Sequence, residues 1–504
     1  MRVVFVTLGQ PLLGVEYLSA ALQQAGHSTV LVHNPALFDD RFVLHFPRLA
    51  RLFSRDDVIV REILDCSPDL LACSAVTPAF GWAAEIAQRV KRERPGIKTV
   101  FGGVHASACP EHVMGLEAAD FVCVGEGEEA LVRLADALQR GETGADIPNM
   151  WSKGADGPQP PPSIAGFNSA LDSLPLPDKE LYAATFPTGD VYHIITGRGC
   201  PYRCTFCFNN SFANLPTAGR PRDYVRRRSP DNVLRELRAA KERFAPQVIW
   251  FWDDVFTMDG EWLREFLPRY KKEIGLPWIA QTHPQFISPE LARRMKDAGC
   301  LKVQVGVQSL GDADYKRRVL RRNESRDSIV AMIAAFHDAG IELVLDHIFG
   351  LPGEGLDSHE FARRFYMRHT PDRIATFFLS YMPGVEITRR AHEAGVLSDA
   401  DIERIHRGEV LSFHEAASPA REVRAELRLL RGYMSAFHLL PVFPRFLRGL
   451  LRPGLLGRIP GMVLFSKIVS FAALFLRGFR GGDRAGRLYV SYYLYHLLGR
   501  VSRF

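Results

Sequence analysis

The chain has 504 residues, 47% of them hydrophobic and 24% charged, enough to bury two or three domain cores. Eight cysteines in so long a chain are no disulfide framework, and their clustering points to a reducing, cytoplasmic compartment and to metal binding. The net charge of +6 is uneven: after Glu426 come thirteen Lys and Arg and one acid, so that stretch carries +12 while residues 1–426 carry −6, the wrong sign for a nucleic-acid footprint on the body.

The opening run RVVFVTL (residues 2–8) reads as a first strand, with no signal-peptide cleavage pattern. GVEYLSAALQQAGH then places Val15, Leu18, Leu22 and Ala25 at helical spacing with Gly26 as a stop, and STVLVHN returns as a strand. The pattern repeats through PDLLACSAVTP, a helix expected from about Trp82 to Arg94, IKTVFGGVHAS and DFVCVGEGEEALVRLADAL. Such alternation predicts an α/β domain over residues 1–140, an open, doubly wound Rossmann-like parallel sheet with helices on both faces. Ligands bind these sheets at the carboxyl ends of the strands, which here carry Thr77, Gly102, Gly103, Val104, His105, Gly125, Glu126 and Gly127. Small residues there admit a large flat or phosphate-bearing ligand to the backbone.

Residues 141–185, with GADGPQPPPSIAG and LPLPDKE, are rich in Pro and Gly and read as a linker. Over residues 186–405, strand-like runs end at YHIITGRGC, VIWFWDD, WIAQTH, LKVQVGVQS, ELVLDHIFG and ATFFLSYMPG. The helices between them start at caps such as Ser229 and Ser288, each followed by Pro, the second helix ending at Gly299. Six βα units predict a partial (βα)6 barrel of the TIM type, with its catalytic groups at the C-terminal strand ends.

The segment GRGCPYRCTFCFNN (residues 197–210) sets Cys200, Cys204 and Cys207 at C-x3-C-x2-C spacing. Structural zinc takes four ligands in paired arrangements, and here a second pair is missing and no His closely follows Cys207. Three thiolates on a four-iron cluster would leave one iron open to an exogenous ligand. Zinc, and three plain loop cysteines, remain the alternatives. Cys66, Cys73, Cys109, Cys123 and Cys300 read as small core residues.

CPYRCTFC resembles the signature of the radical S-adenosylmethionine (SAM) enzymes, with Phe206 at its aromatic position. The likeness extends over about residues 186–405. Asp253 and Asp254 look like the substitute for the turn that binds the SAM amino group, and VGVQS, with Gln308 and Ser309, resembles the segment near the ribose, where an acid is more usual than Gln308. DHIFGLPGE resembles the segment near the adenine, and YMPGVEI the sixth-strand stretch, with Val385 in place of Thr. The resemblance implies a 4Fe-4S cluster held by Cys200, Cys204 and Cys207, whose fourth iron chelates SAM, and an external electron donor whose electron releases a 5′-deoxyadenosyl radical. SAVTP, GGVHAS and VGEGEEAL resemble the cobalamin-binding domain that precedes such barrels, which implies cobalamin at Thr77, Gly102, Gly103, His105 and residues 125–127, with no D-x-H-x-x-G to supply a lower axial histidine. The family likeness implies methylation of an unactivated carbon; an anaerobic oxidative cyclase acting on Mg-protoporphyrin monomethyl ester, or a non-catalytic metal-binding protein, are the other readings.

Arg226, Arg227 and Arg228, and the KRRVLRRN run at 316–323, read as solvated helix faces and receive no role. Residues 406–504 are expected to form a helical C-terminal region. Within it, residues 436–480 alternate apolar runs with Pro, Gly and Arg; the longest, Met462 to Leu476, is interrupted by Lys467 and falls short of the roughly 20 residues that span a bilayer. Such a tail suits helices lying on the cytoplasmic face of an anionic membrane, with Phe465, Phe471, Leu474 and Phe475 in the acyl boundary and a lipid-like or other small-molecule substrate at hand. A helical cap packed on the barrel is the alternative.

Overall fold

The computed structural model describes residues 1–40, 44–45, 47–154, 157–183, 185–186, 190–217, 221–412 and 421–479. In the first sheet five parallel strands stand in the order Ser28–Asn34, Arg2–Leu8, Leu70–Ser74, Lys98–Gly102, Phe121–Cys123. Chain order reverses between Arg2–Leu8 and Leu70–Ser74, so the loops leaving these strands diverge and open a crevice at their carboxyl ends. The two faces follow the strand period: Val4, Val6, Leu71, Cys73 and Phe101 pack with the helices Asp56–Asp65 and Thr77–Glu93. Val3, Phe5, Ala72 and Val100 pack with Leu13–Gln24 and Glu128–Gln139.

Two expectations need correction here. The helix expected from Trp82 starts at Thr77, with Pro78 in its first turn, where the missing N–H has no acceptor to lose. The stretch read as a linker is in part a continuation of the first sheet: Met150–Gly154 pairs antiparallel with Phe121–Cys123, and Gly157–Gln159 pairs with Met150–Gly154.

The second sheet has six parallel strands in chain order, Val191–Ile194, Val248–Phe251, Trp278–Thr282, Cys300–Gln308, Glu342–Phe349 and Arg373–Phe378, forming the partial barrel. Its helices start where the caps predicted: the Ser229 hydroxyl accepts from Asn232 N–H and Ser288 from Leu291 N–H, both at 3.1 Å. Beneath them Phe251, Phe266, Tyr270 and Trp278 join one core, with Phe251 edge-on to Trp278 at 5.6 Å.

The arginine and lysine runs are solvated only in part: Arg317, Arg318 and Arg321 are exposed as expected, and the others are not. Arg226 and Arg228 are buried and paired with Glu126 (2.8 Å) and Glu236 (2.6 Å), and Arg227 lies 4.1 Å over the Trp262 ring. Lys316 and Arg322, also buried, converge on Glu324 at 2.6 and 2.8 Å. Each buried cation has an acid or a ring facing it, which is the condition for its burial.

Helix Arg421–Leu439 caps the barrel. Its Phe437 packs 5.4 Å from Phe349, and His438 bonds Thr376 on the last strand at 2.8 Å. Gly432 and Gly457 bring this helix against the short helix Pro453–Leu456, because a Cβ on either would meet the opposite carbonyl oxygen within about 2 Å. Helix Met462–Phe479 follows, tied to the cap by Ser466 and His438 at 3.0 Å. Residues 413–420 and 480–504 of the expected C-terminal region lie outside the described residues.

Candidate functional site

Gly197 and Arg198 pair antiparallel with Arg226 and Arg227, and the chain then turns through Gly199 at φ +87° into the cysteine loop. A Cβ on Gly199 would lie 2.3 Å from the Tyr224 carbonyl oxygen, so only glycine lets the loop sit this close. Cys204 is buried, and Cys200 and Cys207 half-buried, ahead of the helix Phe208–Ala213. Burial pushes the Cys200 thiol up to about 12 and Cys207 to about 11, with each thiolate opposing its neighbours. Three desolvated thiols that repel one another as anions fit a cationic iron centre that takes them as thiolates. Arg322, from the turn after the fourth barrel strand, reaches within 3.9 Å of Cys204 Sγ.

A cavity of about 340 Å³ joins this loop to the first domain. On one side are the strand-end residues Ser74, Gly102, Gly103, Gly125, Glu126 and Gly127; on the other are Arg198, Gly199, Phe212, Tyr224, Trp252 and Asp254. Its inner end runs between the first sheet and its helices, along Phe5, Tyr17, Leu18, Ala72 and Leu131. Glycines on one wall and an apolar stretch behind it suit a large ligand with a flat ring and an extended arm, which is the chemistry of cobalamin. Gly103 and Gly125 take φ +92° and +85°, and a Cβ on Gly103 would lie 2.9 Å from the Ala75 carbonyl. Among the described residues, no histidine lines the cavity.

The two halves are clamped by charge. Arg198 donates to Glu126 (2.9 Å) and Glu128 (2.5 Å), and Arg226 donates to Glu126 (2.8 Å). Burial alone would raise Glu126, but the two guanidinium groups outweigh it and hold the carboxyl below its ordinary value. Nearby, Lys179 bonds Glu16 at 2.5 Å and the His193 carbonyl at 2.7 Å, again joining the domains.

The other expected site residues separate into those the structure brings to the cavity and those it does not. Gly102, Gly103, Gly125, Glu126, Gly127 and Asp254 line it. Thr77 and His105 do not: the imidazole is fully buried, stacked on Phe80 at 3.9 Å, accepting from the Thr77 hydroxyl (3.2 Å) and donating to the His406 carbonyl (2.9 Å). Asp253 is spent on the fold, its carboxylate holding the Thr196 hydroxyl at 2.6 Å and the Thr196 N–H at 3.0 Å. Asp254 accepts from Asn209 at 2.8 Å, and burial raises it. Gln308 sits at φ +63° in a bulge of the fourth strand, and the buried Ser309 hydroxyl donates to Glu354, which burial raises to about 7. Phe206 packs beside Leu320, Leu351 and Tyr381. Sequence reasoning missed Arg198, Arg226, Trp252 and Arg322; of these Arg198, inside GRGC, and Trp252, beside Asp253, stood next to a recognised signal.

Comparison with known proteins finds a matching profile over most of each of the two sheets. The B12 binding domain profile matches residues 2–135 and the Radical SAM superfamily profile residues 194–365. An uncharacterised methyltransferase of Pyrococcus horikoshii is 26% identical over 73% of this chain and 76% of its own length. The anaerobic magnesium-protoporphyrin IX monomethyl ester cyclase of Rubrivivax gelatinosus is 25% identical over 63% of this chain and 57% of its own. The hopanoid C-3 methylase of Methylococcus capsulatus is 28% identical over 62% and 55%. Among solved structures, the cobalamin-dependent SAM radical enzyme OxsB superposes with a TM-score of 0.68 at 15% identity, over 98% of this chain and 75% of that one. The radical SAM methyltransferase TsrM from Kitasatospora setae does so with 0.63 at 17%, over 78% and 75%. With the flanks of the cysteine loop and the glycine-lined strand ends bordering one cavity, and the B12 profile matching ahead of the radical SAM profile, the chain belongs to the radical SAM superfamily with an N-terminal B12-binding domain, the enzymes whose cofactors are a 4Fe-4S cluster, SAM and cobalamin.

Proposed function

We propose that this enzyme methylates an unactivated carbon of its substrate. When bound, the cluster with SAM supplies a 5′-deoxyadenosyl radical for hydrogen abstraction, and cobalamin supplies the methyl group. The observation that carries the reading is the shared cavity: the strand ends that would hold cobalamin line it together with Gly199 and Phe212, which flank the cysteines, and with Asp254, whose carboxylate is close enough to act on the Cys200 thiol. Cys200, Cys204 and Cys207 would ligate the iron. Gly102, Gly103, Gly125 and Gly127 leave room for the ring, while Phe212, Tyr224 and Trp252 line the space on the barrel side. Glu126, Arg198 and Arg226 hold the two halves in register, so the distance between the two cofactors is set by the protein.

The methyltransferases among the relatives support this reading; the similarity to the magnesium-protoporphyrin cyclases supports oxidative cyclisation as the second. Anaerobically reconstituted protein should carry about four irons and convert SAM to 5′-deoxyadenosine under dithionite. The C200A, C204A and C207A variants should each lose both. Methyl-labelled SAM then decides: label on the substrate carbon supports methyl transfer, and turnover that leaves the product unlabelled sinks it in favour of cyclisation. A single zinc with no SAM cleavage would remove both.

A further inference from the structure

Among the described residues, thirteen large hydrophobic side chains are exposed, and seven of them fall between residues 446 and 468: Phe446, Leu450, Leu455, Ile459, Leu464, Phe465 and Ile468. The concentration is local, since the other six are spread over the remaining chain. Helix Met462–Phe479 shows how it arises. Val463, Ser466 and Ser470 turn inward to the barrel cap, while Gly461, Leu464, Phe465, Ile468 and Ala472 are exposed, an apolar face at helical spacing that no described residue covers. Not every expected contact residue belongs to it: Phe471 lies 3.9 Å from the Arg373 guanidinium, and the side chains of Leu474 and Phe475 lie outside the described ones.

The charge around this face has one sign. Arg445, Arg452 and Arg458 are exposed among the apolar residues, and between Glu426 and Asp483 the sequence holds no acid at all. A second copy of the chain docking on the same face would set these arginines against one another. An acidic lipid headgroup layer meets them with the opposite sign and takes Phe and Leu side chains at its acyl boundary. Among the described residues no helix is long and apolar enough to cross a membrane, so the contact is with one surface.

We infer that residues 445–472 form a docking surface for an anionic bilayer, with the three arginines at the headgroups and Phe446, Leu450, Phe465 and Ile468 in the interface. The cap helix carries this surface on the barrel through the bonds of His438 to Thr376 and Ser466, so docking orients the barrel with respect to the membrane. The inference is independent of whether the reaction is methyl transfer or cyclisation.

The test uses the full-length reconstituted enzyme and sedimentation with vesicles of phosphatidylglycerol and phosphatidylcholine, against phosphatidylcholine alone. The protein should pellet with the anionic vesicles, less with the neutral ones, and be partly released by salt. A variant with L450E, F465E and I468E together should lose at least about ten-fold in partitioning while iron content, cobalamin retention and circular dichroism stay as in the parent. R445Q, R452Q and R458Q together should lose about five-fold per arginine on anionic vesicles and little on neutral ones. Equal partitioning of parent and variants overturns the inference. So does a vesicle-free dimer that the glutamate variant dissociates, which would make a second copy the occupant. Binding that survives both variants and disappears on removing residues 480–504 would assign the contact to that segment and overturn it as well.

Discussion

Arg322 is a buried cation with three acceptors: Glu324 at 2.8 Å, the Gly306 carbonyl at 2.6 Å and Cys204 Sγ at 3.9 Å. Its charge favours the Cys204 thiolate and, with a cluster in place, the more negative reduced state. Arg322→Gln should therefore lower the cluster's reduction potential by tens of millivolts, while Arg322→Lys should recover part of the shift. A redox titration followed by electron paramagnetic resonance reads it, and an unchanged midpoint in the glutamine variant would show that Arg322 serves packing alone. None of this was legible in KRRVLRRN. A run of basic residues reads as solvated because its partners are not local in sequence, and here a π-helical turn at Lys316–Leu320 and a left-handed Arg321 (φ +53°) swing Lys316 and Arg322 onto one carboxylate. Arg226 to Arg228 misled for a second reason. Arg226 and Arg227 are strand residues, so alternate side chains diverge with period two, and a helix face was the wrong template.

At the scale of elements, the strand runs were readable, but the amphipathic helix Asp56–Asp65 went unnamed, and the other errors fell where a turn or edge overrode the apolar period, at the Thr77 helix start and the edge strands Met150–Gly154 and Gly157–Gln159. The same element pair explains His105. Its short helix, Val104–Ala108, follows the glycine turn, so that Gly103 faces the cavity while the imidazole turns away to anchor the first domain on the end of helix Asp399–His406. Burial lowers His105 to about 4, with the neighbouring His112 and His406 disfavouring its cation further. The unfolded chain takes up this proton below about 6.5 and the folded one only near 4, so the stability due to a neutral His105 is full above pH 6.5 and is lost as pH falls between those values. At a full shift this amounts to roughly 3 kcal/mol. His105→Gln removes the titrating group while keeping a donor for the His406 carbonyl. Its melting temperature should fall less steeply than the parent's between about pH 6.5 and 4, and parallel slopes would mean that the imidazole is already protonated in the fold or that other buried histidines set the acid limit.

For the whole molecule, two signals that stand apart in the sequence, the start of the cysteine loop at Gly199 and the glycine-rich strand ends at 102–103 and 125–127, border one cavity because two sheets present their strand ends to each other. The clamp that holds them so, Glu126 between Arg198 and Arg226, joins residues about 70 and 100 positions apart in the chain, beyond the reach of any local pattern. A ligand in the cavity must then oppose separation of the domains as well as opening of the first one. With hydroxocobalamin at about one hundred times its dissociation constant, opening is resisted by about 2.7 kcal/mol, which slows exchange through that opening on the order of a hundred-fold. Hydrogen exchange of the full chain should therefore show protection in two places at once, the strand-end loops around Gly103 and Gly127 and the barrel segments around Gly199 and Trp252, all of which line the cavity. Peptides from the far side of the barrel, such as helix Pro289–Asp297, should exchange as before. Protection confined to the first domain would place the cobalamin away from the cysteine loop, and the shared cavity would then be a gap between two independent sites.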